Sequence, residues 1–82
     1  MAENNTRRVI CASVACILQQ ERTKRGLSLS AVAEKAGISY QMVGYVEKQK
    51  RNPTLDTVLR ICGAIGIDFE TVLKRAKREA RK

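Results

Sequence analysis

Glycines and capping residues cut this chain into short pieces, and that punctuation constrains the fold more than any other feature. Gly26, Gly37 and Gly66 each close an apolar-periodic run, and Ser28, Ser39 and Asp68 follow two positions later. Glycine just past a helix and Ser, Asp or Thr just before one are the commonest helix-boundary signals. Thr54, after the loop "KRNPT", supplies one more start. The chain therefore reads as five helices, at about 6–25, 29–36, 40–49, 55–65 and 69–80. With 82 residues, a single proline and no linker or low-complexity tract, one all-α domain spanning 1–82 is expected.

The apolar positions say which faces turn inward. On the first helix Cys11, Val14, Ala15, Leu18 and Arg22 share one stripe, while Val9, Ile10, Cys16 and Ile17 fall outside it. That helix is apolar nearly all round, which predicts a second contact besides the main core. Val32 and Ala33 on the second helix, and Val43 and Val46 with Met42 on the third, point inward. Leu55, Val58, Leu59, Cys62 and Ile65 line the fourth; Phe69, Val72, Leu73 and Ala76 line the fifth. The fifth then runs into a basic end over 74–82, "KRAKREARK".

Composition narrows the function classes. Sixteen Lys/Arg against eight Asp/Glu give a net charge of +8, which points to a polyanionic partner, most often nucleic acid. There is no histidine, and the three cysteines form no C-x-x-C pair. No zinc site, disulfide framework or nucleophile–base pair can be assembled, so neither an enzyme nor a metal or cofactor is expected. Cys11, Cys16 and Cys62 are expected to be reduced thiols packing as small apolar groups, in a cytoplasmic setting. The apolar run "VICASVACIL" is too short to span a bilayer, and its removal as a signal segment would delete a helix that the rest of the chain needs.

The second and third helices are separated by about four residues, Ala36 to Ser39, with a glycine in the turn, the spacing of a helix-turn-helix. Around it several fixed spacings agree: Arg22, Gly26-Leu27-Ser28, Ala33, Gly37-Ile38-Ser39, Val43, Val46-Glu47, Asn52-Pro53, then Leu55, Leu59 and "IGID". In these positions the chain resembles the Cro/C1-type helix-turn-helix family of phage repressors and small bacterial regulators, over about residues 14–68. The resemblance implies a lambda-repressor-like five-helix bundle. It also implies a sequence-specific double-stranded DNA-binding transcriptional regulator, bacterial or phage-encoded. Restriction-modification controller proteins, prophage repressors and antitoxins share this size and plan, and the sequence does not choose among them.

In that family the third helix reads DNA. Carried onto this chain, Tyr40, Gln41, Gly44, Tyr45 and Lys48 form the outward face of a helix that enters the major groove by its N-terminal end. Gln41 suits bidentate pairing with adenine, and Tyr45 a thymine methyl or a phosphate. Lys48, Lys50, Arg51, Asn52 and Thr54 follow as phosphate contacts, which add affinity without sequence information. Ser28 and Ser39 present helix N-termini, whose free N–H groups favour phosphate. Arg22 and Glu47 match a pair that ties the first helix to the recognition helix. The family's symmetric dimers imply a homodimer on an inverted repeat. Ile61, Ile65, Phe69, Val72 and Leu73 are the first candidate surface for it, and Val9, Ile10, Cys16 and Ile17 the second. Regulation is expected from the protein's own concentration or from a regulatory protein partner.

The chain departs from the family pattern at three places. Leu29 stands where many members have glutamine touching phosphate; Ser30 and Ala31 leave no capping-box acid; Gln49 stands where glycine often ends the recognition helix. Leu29 keeps a rival open, a protein–protein adaptor whose Tyr40/Tyr45 face or fifth helix docks another protein. RNA recognition is a distant third, since no aromatic platform on strands is present.

Overall fold

The computed structural model describes the backbone of residues 2–80 and the side chains of residues 6–80. Its helices are α1 (Ala2–Lys24), α2 (Leu29–Ala36), α3 (Tyr40–Glu47), α4 (Leu55–Ile65) and α5 (Phe69–Ala80). No strand occurs among the described residues, so the fold is all-α. α1 starts earlier than the sequence suggests, and α3 ends two residues sooner. Arg81 and Lys82 of the expected basic end lie outside the described residues.

The starts of α2, α3 and α4 follow from their capping residues. The hydroxyls of Ser28, Ser39 and Thr54 accept from the backbone N–H of Ala31, Met42 and Thr57, three residues on, at 3.0, 3.0 and 3.1 Å. Each such cap stabilises its helix by about 1 kcal/mol over alanine. The ends are equally regular. At Gly37 the chain turns with φ +71°, and Ile38 N–H donates back to Ala33 C=O at 3.1 Å. Leu27 N–H to Arg22 C=O and Ile67 N–H to Cys62 C=O, both at 3.0 Å, close α1 and α4 around Gly26 and Gly66 in the same way. These are Schellman closures, and the left-handed φ is why glycine stands there.

The core lies where all five helices meet. Ile17 and Leu18 of α1 pack with Val32 and Ala33 of α2, Val43 and Val46 of α3, Val58, Ile61, Cys62 and Ile65 of α4, and Val72 and Ala76 of α5. α1 runs along α5 and also meets α3 and α4. This central position accounts for its nearly all-round apolar character: Ile10, Val14 and Ile17 serve one neighbour or another. Leu29, Ile38 and Met42 pack half-buried against the core.

Two expectations are corrected here. Cys11 and Cys16 are exposed, and only Cys62 packs inside. Helix periodicity could not tell which side of the apolar α1 would be left uncovered. Burial and, secondarily, the nearby Asp68 carboxylate push the Cys62 thiol pKa up, so it stays protonated and inert. Second, Ile61, Ile65 and Val72 are 1, 4 and 0% exposed within the single chain. They are consumed by the core and cannot form a dimer surface. Of that first candidate set only Phe69 and Leu73 remain partly exposed. Of the second set Ile17 is buried too, while Val9 and Cys16 are exposed.

No helix among the described residues is long and apolar enough to cross a membrane. No group of three or more His, Cys, Asp or Glu among them could hold a metal ion.

Candidate nucleic-acid interface

The site is built around α3, and α3 is held from both sides. Val43 and Val46, at 0 and 2% exposed, drive one face into the core. Burying apolar side chains like these stabilises by about 1.5–3 kcal/mol each. At the far end Glu47 accepts a two-pronged contact from Arg22 of α1: Nε to Oε2 at 2.6 Å and Nη2 to Oε1 at 3.0 Å. The Arg22 side chain is 15% exposed and that of Glu47 is 5%. The remaining Arg22 nitrogen, Nη1, donates to Leu27 C=O at 2.8 Å, so one guanidinium fixes both the end of α3 and the entry to α2. Paired and satisfied in this way the charges tolerate burial; stripped of a partner, the survivor would cost about 3–5 kcal/mol.

With Val43, Val46 and Glu47 fixed inward, the opposite side of α3 faces solvent. Tyr40 is 56% exposed, and Gln41 and Lys48 are exposed as well. Gly44 and Tyr45 are half-buried. A β-carbon added at Gly44 would meet nothing within 4 Å, so packing against α2 does not demand glycine there.

α3 closes at Lys48, and the next residue, Gln49, takes φ +60°. Gln49 N–H donates to Val46 C=O at 3.1 Å and Lys50 N–H to Tyr45 C=O at 2.9 Å. This is the closure seen at Gly37, made with a side chain where glycine is favoured. A non-glycine residue pays about 1 kcal/mol for this conformation.

Beyond it Lys50, Arg51, Asn52 and Thr54 are all exposed. Lys48, Lys50 and Arg51 enter no ion pair among the described residues, which leaves three cations beside the α3 face. The Arg51 guanidinium carbon lies 5.3 Å from the centre of the Tyr45 ring, a cation–π contact that draws the loop against α3. The Thr54 hydroxyl is occupied by its cap and by Thr57 Oγ1 at 3.1 Å.

Contacts made by Glu21 and Arg60 escaped the sequence reading. Glu21, 7% exposed, receives Arg75 of α5 at 2.9 Å and Arg25 one turn on. These two arginines, Arg75 first, hold its carboxyl below the usual carboxylate range. Arg60 of α4 donates to Ala36 C=O at 3.3 Å, satisfying an orphan carbonyl at the end of α2, and also pairs with Asp56. Glu21 and Arg75 are 54 positions apart, and no local spacing rule reaches that far.

The helix-turn-helix family profile matches residues 18–72, a span that takes in α2, α3, α4 and the Arg22–Glu47 pair. Two curated proteins are similar in sequence. The HTH-type transcriptional regulator SutR of Escherichia coli (strain K12) is 38% identical over 56 residues, which are 68% of this chain and 32% of SutR. The immunity repressor protein of Bacillus phage phi105 is 33% identical over 64 residues, 71% of this chain and 44% of the repressor. The chain thus spans less than half the length of either relative. Among solved structures, the wild-type restriction-modification controller protein C.Esp1396I superposes with a TM-score of 0.80 over 89% of this chain and 96% of its own. A mutant of the same controller protein gives 0.79 over 85% and 91%. At 16% identity these matches speak to the fold, and they agree with the lambda-repressor-like arrangement. The chain belongs to the Cro/C1-type helix-turn-helix family.

Proposed function

We propose that this family member is a sequence-specific double-stranded DNA-binding transcriptional regulator, acting in the cytoplasm as a homodimer on an inverted-repeat operator. The observation that carries the reading is α3 itself. One face is locked by Val43, Val46 and the Arg22–Glu47 pair, while Tyr40 and Gln41 stand free at its N-terminal end. A rigid helix with a free polar N-terminal face suits insertion into a major groove.

In this mechanism Gln41 reads an adenine edge through its amide, and Tyr45 meets a thymine methyl or a phosphate. Lys48, Lys50, Arg51 and Asn52 neutralise phosphates alongside, and the N-termini of α2 and α4, capped by Ser28 and Thr54, add backbone N–H groups. Gly44, where an added β-carbon would meet nothing within 4 Å, leaves room for the close approach of a base or sugar. Binding to an operator then excludes or recruits polymerase by occupancy.

The adaptor reading predicts a different outcome for surface substitutions. Tyr45→Ala and Arg51→Ala are expected to weaken binding to duplex DNA by about tenfold or more each, with unchanged helicity, because they remove a base-facing ring and a phosphate contact. Fluorescence anisotropy on a labelled duplex at low salt measures this. Full retention of affinity in both variants would argue for a protein partner on this face instead.

A further inference from the structure

A groove of about 330 Å3 opens between α1, the start of α4, the start of α5 and the loop after α3. Ile10, Val14, Val46, Leu55, Val58 and Leu73 are among its lining. Arg8 and Arg51 are its only charged members, and no acid lines it. We propose that this groove binds a small aliphatic carboxylate, and that the bound carboxylate weakens DNA binding by taking Arg51 from the phosphates. The second half rests on the DNA-binding reading above; the first half does not.

Size and charge set the ligand class. Small-molecule sites run upward from about 300 Å3, so this groove matches a ligand of few heavy atoms. Its lining is mostly branched aliphatic, which suits a flexible alkyl tail. An apolar surface carrying two cations and no anion complements a single negative charge on such a tail. Neither arginine is spent elsewhere, since neither enters an ion pair among the described residues. Asp56, the acid next to Leu55, is held by Arg60 at 2.9 Å instead. The guanidinium fork matches a carboxylate in geometry. A multiply charged phosphate would carry more charge into the same apolar surround, at a higher desolvation cost.

Arg51 links the groove to the recognition helix. Its guanidinium lies 5.3 Å from the ring centre of Tyr45 on α3. Gln49 and Asn52 of the same loop also line the groove. A carboxylate held by Arg51 neutralises one of the three cations beside α3, so ligand and DNA phosphate compete for one guanidinium.

Octanoate and the native thiols test the site on the full chain. Cys11 lines the groove, and Cys16, also exposed, lies outside it. Octanoate at about 5 mM is expected to slow alkylation of Cys11 by iodoacetamide about threefold or more, and to leave Cys16 unchanged. Octanol has the same tail without the charge, and acetate the charge without the tail; both should protect Cys11 less. Arg8→Ala should weaken octanoate binding about threefold or more and leave DNA affinity within about twofold. In wild type, octanoate should lower affinity for a labelled duplex about threefold below that in acetate of equal ionic strength. No protection of Cys11, equal protection of both thiols, or octanol protecting as well as octanoate overturns the carboxylate site. Protection of Cys11 that rises with protein concentration alone would give the groove to a second copy and overturn it too. Octanoate that binds but leaves DNA affinity at its acetate value overturns the coupling. A chain that binds no duplex would overturn the DNA-binding reading, while the thiol experiment still decides the site.

Discussion

Glu21 and Arg22 are neighbours on α1, yet they hold different parts of the molecule by different means. Arg22 grips α3 with a fork-to-fork contact to Glu47, and both side chains are largely buried. Glu21 grips α5 through Arg75, sharing one carboxylate between that arginine and Arg25, whose side chains are 35 and 38% exposed. The geometry on the α3 side is bidentate and shielded from water; on the α5 side it is shared and screened. Directional, desolvated contacts thus hold α3, the helix proposed to present its outer side chains to DNA. Apolar packing and a softer ionic link hold α5, which covers the core.

The largest effect expected from breaking this asymmetry is at Glu47. Glu47→Ala leaves Arg22 without its partner in a nearly closed site and should cost about 3–5 kcal/mol, read as a lower urea midpoint. Next is the turn between α2 and α3. Gly37→Ala must accept φ +71° and place a β-carbon 3.3 Å from Arg60 Nη1, so a loss of about 1–2 kcal/mol is expected. The matching turn after α3 should respond in the opposite sense. Gln49→Gly relieves a side chain held at φ +60° and should stabilise by about 0.5–1 kcal/mol in the same titration.

The smallest effect belongs to Glu21, and pH isolates it. Its pKa is lowered in the folded state, so its contribution is fully present above the carboxylate's unfolded pKa. That contribution fades as pH falls through the lowered folded value. The stability gap between wild type and Glu21→Gln should therefore be widest near neutrality and shrink below about pH 4. A gap that stayed constant down to strongly acid pH would show that the arginines do not favour the ionised form. DNA affinity should fall in Glu47→Ala and hold in Glu21→Gln, because only the former frees α3.

What was legible in the sequence follows the range over which each interaction acts. Ser28, Ser39, Thr54, Gly37 and Gly66 act within one helical turn, and each marks the boundary it appeared to mark. Val43 and Val46 were legible because a three-residue spacing on a short helix admits one inward face. Arg22 and Glu47 lie 25 positions apart, and only the family resemblance linked them. The Glu21–Arg75 link and the Arg51–Tyr45 stack had no such guide, since both depend on where a distant element or a loop comes to rest. The misplacement of Ile61, Ile65 and Val72 has a related cause. Periodicity identifies an apolar face but not whether the chain's own helices or a second copy will cover it. The exposed Cys11 and Cys16 show the converse on α1, where an all-round apolar helix hides which side stays open.

The central claim is that α3 reads base sequence, and selection from a random duplex pool of about 30 base pairs at about 150 mM salt tests it most directly. The account predicts enrichment of an inverted repeat, with one base position per half-site relaxed in a parallel selection on Gln41→Ala. Binding that is salt-sensitive but blind to sequence would contradict it, because the net charge of +8 would then suffice to explain all the affinity.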